Sequence, residues 1–310
     1  MLTELVKNKM KRAYEAADLS FRLTKDLRSR LALLSCYAGI VRDRNNPEEV
    51  ALELSPDGAS FPVRMRKSDI FTLSEIFFGR EYSLRTRLPT SPIVFDCGAN
   101  IGMSTIWFLS QLPGARVHAF EPEPENFRLL SANLSGRDDV VLNAAALGRE
   151  SGNAALYLGE HSALHSVKNL EGGSRAVEVP AISLSDYMRK KRIDRIDLLK
   201  LDVEGSELEV LQGLGSLIDN VGVVIGEVHE RVVDAGEFYA YVEARGFRCC
   251  MRRRVQPDAH LFELARPPKD LYVIPGAGHN DTYSTGGRPY LDAWRRFLGV
   301  SPELGSTLNS

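Results

Sequence analysis

The stretch that most limits the fold runs from Ile93 to Gly102. An apolar run, Ile93-Val94-Phe95, leads into Asp96-Cys97-Gly98-Ala99-Asn100-Ile101-Gly102, and helical spacing resumes from Ser104 to Leu112. A strand that ends in a glycine-rich turn and passes straight into a helix opens a βαβ unit. In open parallel sheets ligands settle beyond the carboxyl ends of such strands, where glycine lets them approach the backbone closely. The alternation then repeats. Strands are expected at Ile93–Phe95, Arg116–Phe120, Val140–Leu142, Ile196–Leu201, Val221–Glu227 and Leu271–Ile274, with an extra one at Val177–Ile182. Helices are expected at Ser104–Leu112, Pro124–Leu134, Leu184–Arg192, Ser206–Leu217 and around Glu237–Arg245. This succession predicts an α/β domain over residues 91–275.

Upstream the pattern differs. Residues 1–45 read as helix, with Leu2, Leu5, Val6, Leu19, Leu23 and Leu27 set among Lys7, Lys9, Lys11, Arg12, Arg22 and Lys25. One face is apolar and the other basic, which suits a packing or oligomerising helix and leaves peripheral membrane contact open. Residues 46–90 hold a β-hairpin, Val50–Leu54 and Phe61–Met65 around Pro56-Asp57-Gly58, followed by a helix at Ile70–Phe77. Residues 276–310 form a tail rich in Gly, Ser, Thr and Asn.

Charge and cysteine usage narrow the setting. With 39 basic and 41 acidic residues the chain has no general pull toward nucleic acid. Cys36, Cys97, Cys249 and Cys250 show no paired ligand spacing, which fits a reducing compartment. The longest apolar run, Leu31 to Val41, is too short to span a bilayer, and the N-terminus lacks a secretory pattern, so a cytoplasmic protein is expected.

The glycine loop reads G-x-N-x-G, with Met103 where a dinucleotide fingerprint has its third glycine, which argues against NAD and FAD. S-adenosylmethionine carries no pyrophosphate and needs no phosphate cradle. It needs close backbone contact and an acidic neighbour for its ammonium, and Asp96, Gly98, Asn100 and Gly102 offer these. Glu121 ends the next strand, where a carboxylate grips both ribose hydroxyls in nucleotide folds. Taken alone it is also a favourable charge at a helix start, which Pro122 and Pro124 launch.

Three strings then stand in order. They are Asp96-Cys97-Gly98-Ala99-Asn100-Ile101-Gly102; Phe120-Glu121-Pro122 with Asn126-Phe127, Leu130 and Asn133; and Leu199-Lys200-Leu201-Asp202-Val203-Glu204-Gly205-Ser206-Glu207. Together they resemble the FkbM family of methyltransferases over about Ile93 to Met251. The resemblance implies a class I methyltransferase, a Rossmann-like seven-stranded sheet with its last strand antiparallel, here preceded by a helical and β-hairpin extension. It implies S-adenosylmethionine over the first two strand ends, with Asn143 and Ala144 near the adenine. It also suggests a hydroxyl of a sugar, glycoside or polyketide as acceptor.

Methyl transfer needs an aligned nucleophile relieved of its proton. Asp202 and Glu204, after the fourth strand, and His229, after the fifth, are the expected catalytic residues. Glu204 equally suits a helix-start charge. Asp202, Glu204, Glu227 and His229 have the chemistry for magnesium or manganese, but no tight ligand motif supports it and a metal-free site is expected. His161 and His165 fall in an irregular insert that either closes over the acceptor or stays solvated. Methylation of nitrogen or a carboxylate, a non-catalytic binder of S-adenosylmethionine, and a homo-oligomer remain as alternatives. The expected partner is a small molecule or glycan.

Overall fold

A computed structural model of the chain describes residues 2–43, 46–157, 176–256 and 259–266. The expected N-terminal helix is two helices, α1 (Leu2–Leu23) and α2 (Leu27–Arg42). Asp26 makes the break: it sits in extended backbone and accepts the Ser29 N–H at 2.8 Å, the N-cap bond that starts a new helix. The hairpin forms as expected from β1 (Glu49–Leu54) and β2 (Phe61–Arg66), and α3 (Ile70–Phe77) follows it. None of the described helices is long and apolar enough to cross a membrane.

The main sheet is built from β3 (Ile93–Cys97), β4 (Arg116–Phe120), β5 (Val140–Asn143), β9 (Ile196–Leu201), β10 (Val221–His229), β11 (Arg248–Gln256) and β12 (Ala259–Ala265). Its order is β11-β12-β10-β9-β3-β4-β5. The five strands from β5 to β10 run parallel, and β12 is antiparallel to both of its neighbours. This is the class I methyltransferase sheet, with the last strand reversed. The place expected for Leu271–Ile274 is taken by β12; those residues, the segment with His161 and His165, and the tail lie outside the described residues. A smaller three-stranded sheet joins β6 (Ala146–Gly148), β7 (Gly152–Tyr157) and β8 (Ala176–Ser183), of which only β8 is predicted by pattern.

Helices cover both faces because β-strand side chains alternate. Val94, Val117, Leu198 and Ile225 point to one face, where they meet Ile106 and Phe108 of α4 (Met103–Gln111), Leu129 and Leu130 of α5 (Pro124–Leu134), and the extension. Phe95, Phe120, Leu199 and Val224 point to the other, against α6 (Leu184–Lys191), α7 (Glu207–Gln212) and α8 (Ala235–Glu243). The extension therefore shares a core with the sheet: Leu19, Leu33, Leu54, Phe61 and Phe77 are all buried within it. Each such side chain contributes about 1.5–3 kcal/mol.

Polar contacts fix where the extension lies. Asn133 accepts the Arg64 N–H at 2.7 Å and donates to the carbonyls of Arg64 and Ile101, joining hairpin to glycine loop. Glu263, fully buried on β12, accepts the backbone N–H groups of Arg85 and Thr86 and the Thr86 hydroxyl. Beyond that anchor the irregular segment places Tyr82, whose carbonyl accepts from the Trp107 indole at 3.3 Å.

Glu263→Ala should lose about 2–4 kcal/mol of stability, because two backbone donors lose a charged acceptor in a dry setting. Urea denaturation with linear extrapolation measures it. A loss below about 0.5 kcal/mol would mean that the clamp does not hold the segment.

Candidate active site

The site begins with a buried ion pair. Asp96 on β3 and Lys200 on the adjacent β9 approach to 3.3 Å, both essentially without solvent exposure. Ser104 and Thr105 at the start of α4 donate to the second Asp96 oxygen at 2.7 and 2.6 Å. Lys200 also donates to the Gly98 carbonyl at 2.6 Å and lies 3.6 Å from Asp202. Burial alone would lower the Lys200 pKa, but the charges of Asp96 and Asp202 outweigh it and hold the ammonium above its usual range. Asp96 is thus enclosed, and through Lys200, Ser104 and Thr105 it ties β9 and the start of α4 to the glycine loop.

The loop turns sharply. Gly98 has φ +81, and a Cβ there would lie 1.8 Å from the Asp202 carbonyl oxygen. Only glycine admits that approach. The N–H groups of Gly98 and Ala99 donate to the Phe120 carbonyl at 3.0 and 2.9 Å, which ties the loop to the end of β4. Asn100 takes a left-handed conformation, φ 50, a region where asparagine is tolerated. Its N–H donates to Glu121 at 2.8 Å.

Glu121 is buried at the end of β4, and its other oxygen accepts the Glu123 N–H at 3.0 Å. Burial pushes its pKa up to about 7, against the opposing pull of the Glu123 and Asn100 N–H groups and the Asn126 amide. A carboxylate has about four acceptor positions; three are taken, one of them only by the Asn126 amide at 3.5 Å, so a diol would use the open position and displace that amide. Asn143, at the end of β5, donates to the Ala119 carbonyl and accepts the Glu121 N–H through its backbone, and Ala144 beside it is exposed.

Across the Gly98 contact lies a second cluster. Tyr82 donates to Asp202 at 2.9 Å, and its ring stands 5.4 Å from the Lys200 ammonium. The Nε2 of His229 faces Glu204 at 3.2 Å, Glu227 at 3.7 Å and Asp202 at 4.0 Å. Its Nδ1 donates to Glu207 at 2.8 Å, and Glu207, fully buried, also accepts the Gly205 N–H. Glu204 itself has φ 52. Burial pushes the carboxyls of Glu204 and Glu227 upward, and the Asp202 charge adds to it.

The expected proton acceptor changes character in this company. Burial alone would lower the His229 pKa, but the bond to Glu207 and the charges of Glu204, Glu207 and Asp202 raise it to about 11. These neighbours favour the protonated ring over the free base. Pattern reasoning overlooks two members of this cluster. Glu207 stands inside a quoted string without a role. Tyr82 lies in an irregular segment and has no local signal; only the folded chain brings it 120 residues along the sequence to Asp202. Asp202, Glu227 and His229 present ligand atoms that all lie within 4.8 Å of one another.

Comparison with known proteins agrees in extent with this site. A family model for the methyltransferase FkbM domain matches residues 96–249. The chain is 33% identical over 226 residues to the 31-O-demethyl-FK506 methyltransferase FkbM of Streptomyces tacrolimicus, covering 62% of this chain and 86% of that protein. It is 32% identical over 234 residues to the methyltransferase sdnD of Sordaria araneosa, covering 63% and 89%. It is 30% identical over 141 residues to the hexuronic acid methyltransferase AglP of Haloferax volcanii, covering 45% and 57%.

Gly98→Ala should cost about 2–5 kcal/mol, from left-handed backbone strain together with overpacking against the Asp202 carbonyl. Urea denaturation gives the loss, and a variant as stable as wild type would show that the two segments are not in contact.

Proposed function

The chain belongs to the FkbM family of methyltransferases, and within that family we propose that it methylates a hydroxyl of a sugar, glycoside or polyketide-type acceptor. One observation carries the reading. The glycine loop with Glu121 and the cluster of Asp202, Glu204 and His229 stand on the same edge of the sheet, in contact through Gly98 and Asp202. A donor site and an acceptor site need this adjacency.

S-adenosylmethionine, the methyl donor of the family, supplies an electrophilic methyl on a cationic sulfur; transfer breaks that S–C bond as the acceptor O–C bond forms. The residues suit such a ligand. Glu121 has one open acceptor position and a second held only by the Asn126 amide at 3.5 Å, which together suit the two ribose hydroxyls, and the Gly98–Gly102 turn presents backbone to the amino acid moiety. The acidic cluster beyond favours a cation and supplies no phosphate cradle. Asn143 and Ala144 flank the Glu121 strand end, where the adenine would lie.

At the acceptor end, the carboxylates of Asp202 and Glu204 receive the proton that leaves the hydroxyl. Tyr82 holds one oxygen of Asp202, which fixes the orientation of that carboxylate. His229 serves as their counter-charge. Such a positioned acid–base cluster contributes about 10²–10⁴-fold to rate. The names of the relatives support the acceptor class: one is named for 31-O-demethyl-FK506 and another for a hexuronic acid.

Incubation with labelled S-adenosylmethionine and a panel of methyl glycosides and hydroxylated macrolactones, with products identified by mass, tests the proposal. An O-methyl product is expected. Product methylated on nitrogen or a carboxylate would replace the reading, and cofactor binding without transfer to any acceptor would favour a non-catalytic binder.

Two measurements test the donor site. Calorimetry should find S-adenosylhomocysteine binding and no NAD binding. Glu121→Ala should weaken the former by about 2–4 kcal/mol, the scale of two charge-assisted hydrogen bonds after compensation. The ribose hydroxyls need the ionised carboxylate, so affinity should fall as pH drops through about 7, where Glu121 gains its proton. Glu121→Gln should flatten that dependence; an unchanged pH profile would remove Glu121 from the ribose.

A further inference from the structure

The acidic cluster is overloaded. Asp202, Glu204, Glu207 and Glu227 surround His229, and the neighbouring cation, Lys200, is shared among Asp96, the Gly98 carbonyl and, at 3.6 Å, Asp202. Buried charges persist where they are paired, hydrogen-bonded or bound to a metal. Glu227 meets the first condition only at the long distance of 3.7 Å and lacks the second. Its residue is 9% exposed, and among the described residues it accepts no hydrogen bond; its one ionic neighbour, His229, is 3.7 Å away. Its carboxylate is aimed at the same point as Asp202 and the imidazole, with all three ligand atoms within 4.8 Å of one another.

We infer that Asp202, Glu227 and His229 form a divalent-cation site of the magnesium or manganese type, which holds the acceptor hydroxyl for methylation. Two carboxylate oxygens and one imidazole nitrogen are the donor set these ions accept, with further positions left for water and acceptor oxygens. The support behind the imidazole is of the kind that metal-bound histidines have. Glu207 takes the Nδ1 hydrogen at 2.8 Å, which fixes the ring and turns Nε2 toward the other two ligands. Tyr82 does the same for Asp202 by occupying its other oxygen at 2.9 Å. A cation between these groups replaces the proton on Nε2 and supplies the positive charge that Glu227 lacks. An acceptor hydroxyl bound to it would become more acidic, and Glu204, the carboxylate outside the ligand set, would take its proton. The expectation of a metal-free site came from sequence spacing, and spacing does not register ligands brought together from the ends of two adjacent strands.

The inference rests on the reading that this cluster faces the acceptor, and its test is separate from that reading. The full chain, stripped with EDTA and dialysed, is titrated with Mn²⁺ alone, and free ion is followed by electron paramagnetic resonance. One Mn²⁺ per chain should bind. Asp202→Asn, Glu227→Gln and His229→Gln should each weaken binding by at least about tenfold, and Glu207→Gln by about 10–100-fold, the range for loss of a residue that orients a ligand. S-adenosylhomocysteine affinity measured on the same samples shows that each variant is folded and tests the donor site independently. Mn²⁺ that stays free at about millimolar protein, or that binds the variants as well as wild type, would overturn the inference even where S-adenosylhomocysteine binds. In that case the sulfonium alone would balance the cluster.

Discussion

The pairing of Asp96 with Lys200 holds the active edge together. It joins β3 to β9, the two adjacent strands from which the chain departs in opposite directions, toward β4 and β5 on one side and β10 and β12 on the other. A crevice forms at such a divergence in any open α/β sheet. Here a buried charge pair lines it, and each partner reaches further: Asp96 to the first turn of α4, Lys200 to the glycine loop and to Asp202. Removing one partner from a pair this dry leaves an uncompensated charge, a far larger loss than the pair itself contributes.

From that pair outward the electrostatics divide the edge into two halves. Around the glycine loop the carboxylate of Glu121 accepts two backbone N–H groups, and burial pushes its pKa up to about 7. Around Asp202 carboxylates outnumber cations, and they push a histidine that would titrate near neutrality in water toward its charged form. The same residue type can be base, acid or ligand depending on what surrounds it. In this protein the surroundings come from β9, from β10, from the turn before α7 and from the N-terminal extension.

The sheet was legible because strands buried on both faces leave apolar runs, and because glycine loops and prolines punctuate them: Ile93–Phe95, Arg116–Phe120, Ile196–Leu201 and Val221–Glu227 all lie within observed strands. The last two strands were not. Arg248–Gln256 is an edge strand dense in arginine, a composition that protects an open edge and hides the apolar pattern. In β12 the buried Glu263 and His260 interrupt the run, and each is there for a partner far along the chain. The break at Asp26 was readable from its capping position, but continuous helical spacing on either side obscures it. Among site residues, those next to a glycine turn or a strand end announced themselves. Tyr82 did not, since its place depends on Glu263 holding a segment without regular structure.

The contact between Gly98 and the Asp202 carbonyl leaves no slack between the two halves of the edge. Lys200 bridges the same gap from beneath, bonded to one side and drawn to the other. The spacing between the glycine loop and the turn after β9 is therefore built into the backbone, and on the proposed function that spacing would set the distance from sulfur to attacking oxygen. Substitution at carbon tolerates little error in distance or angle. On the proposed function, a backbone this fixed would let the walls around the acceptor vary, exchanging one alcohol for another while the line of attack stays where it is.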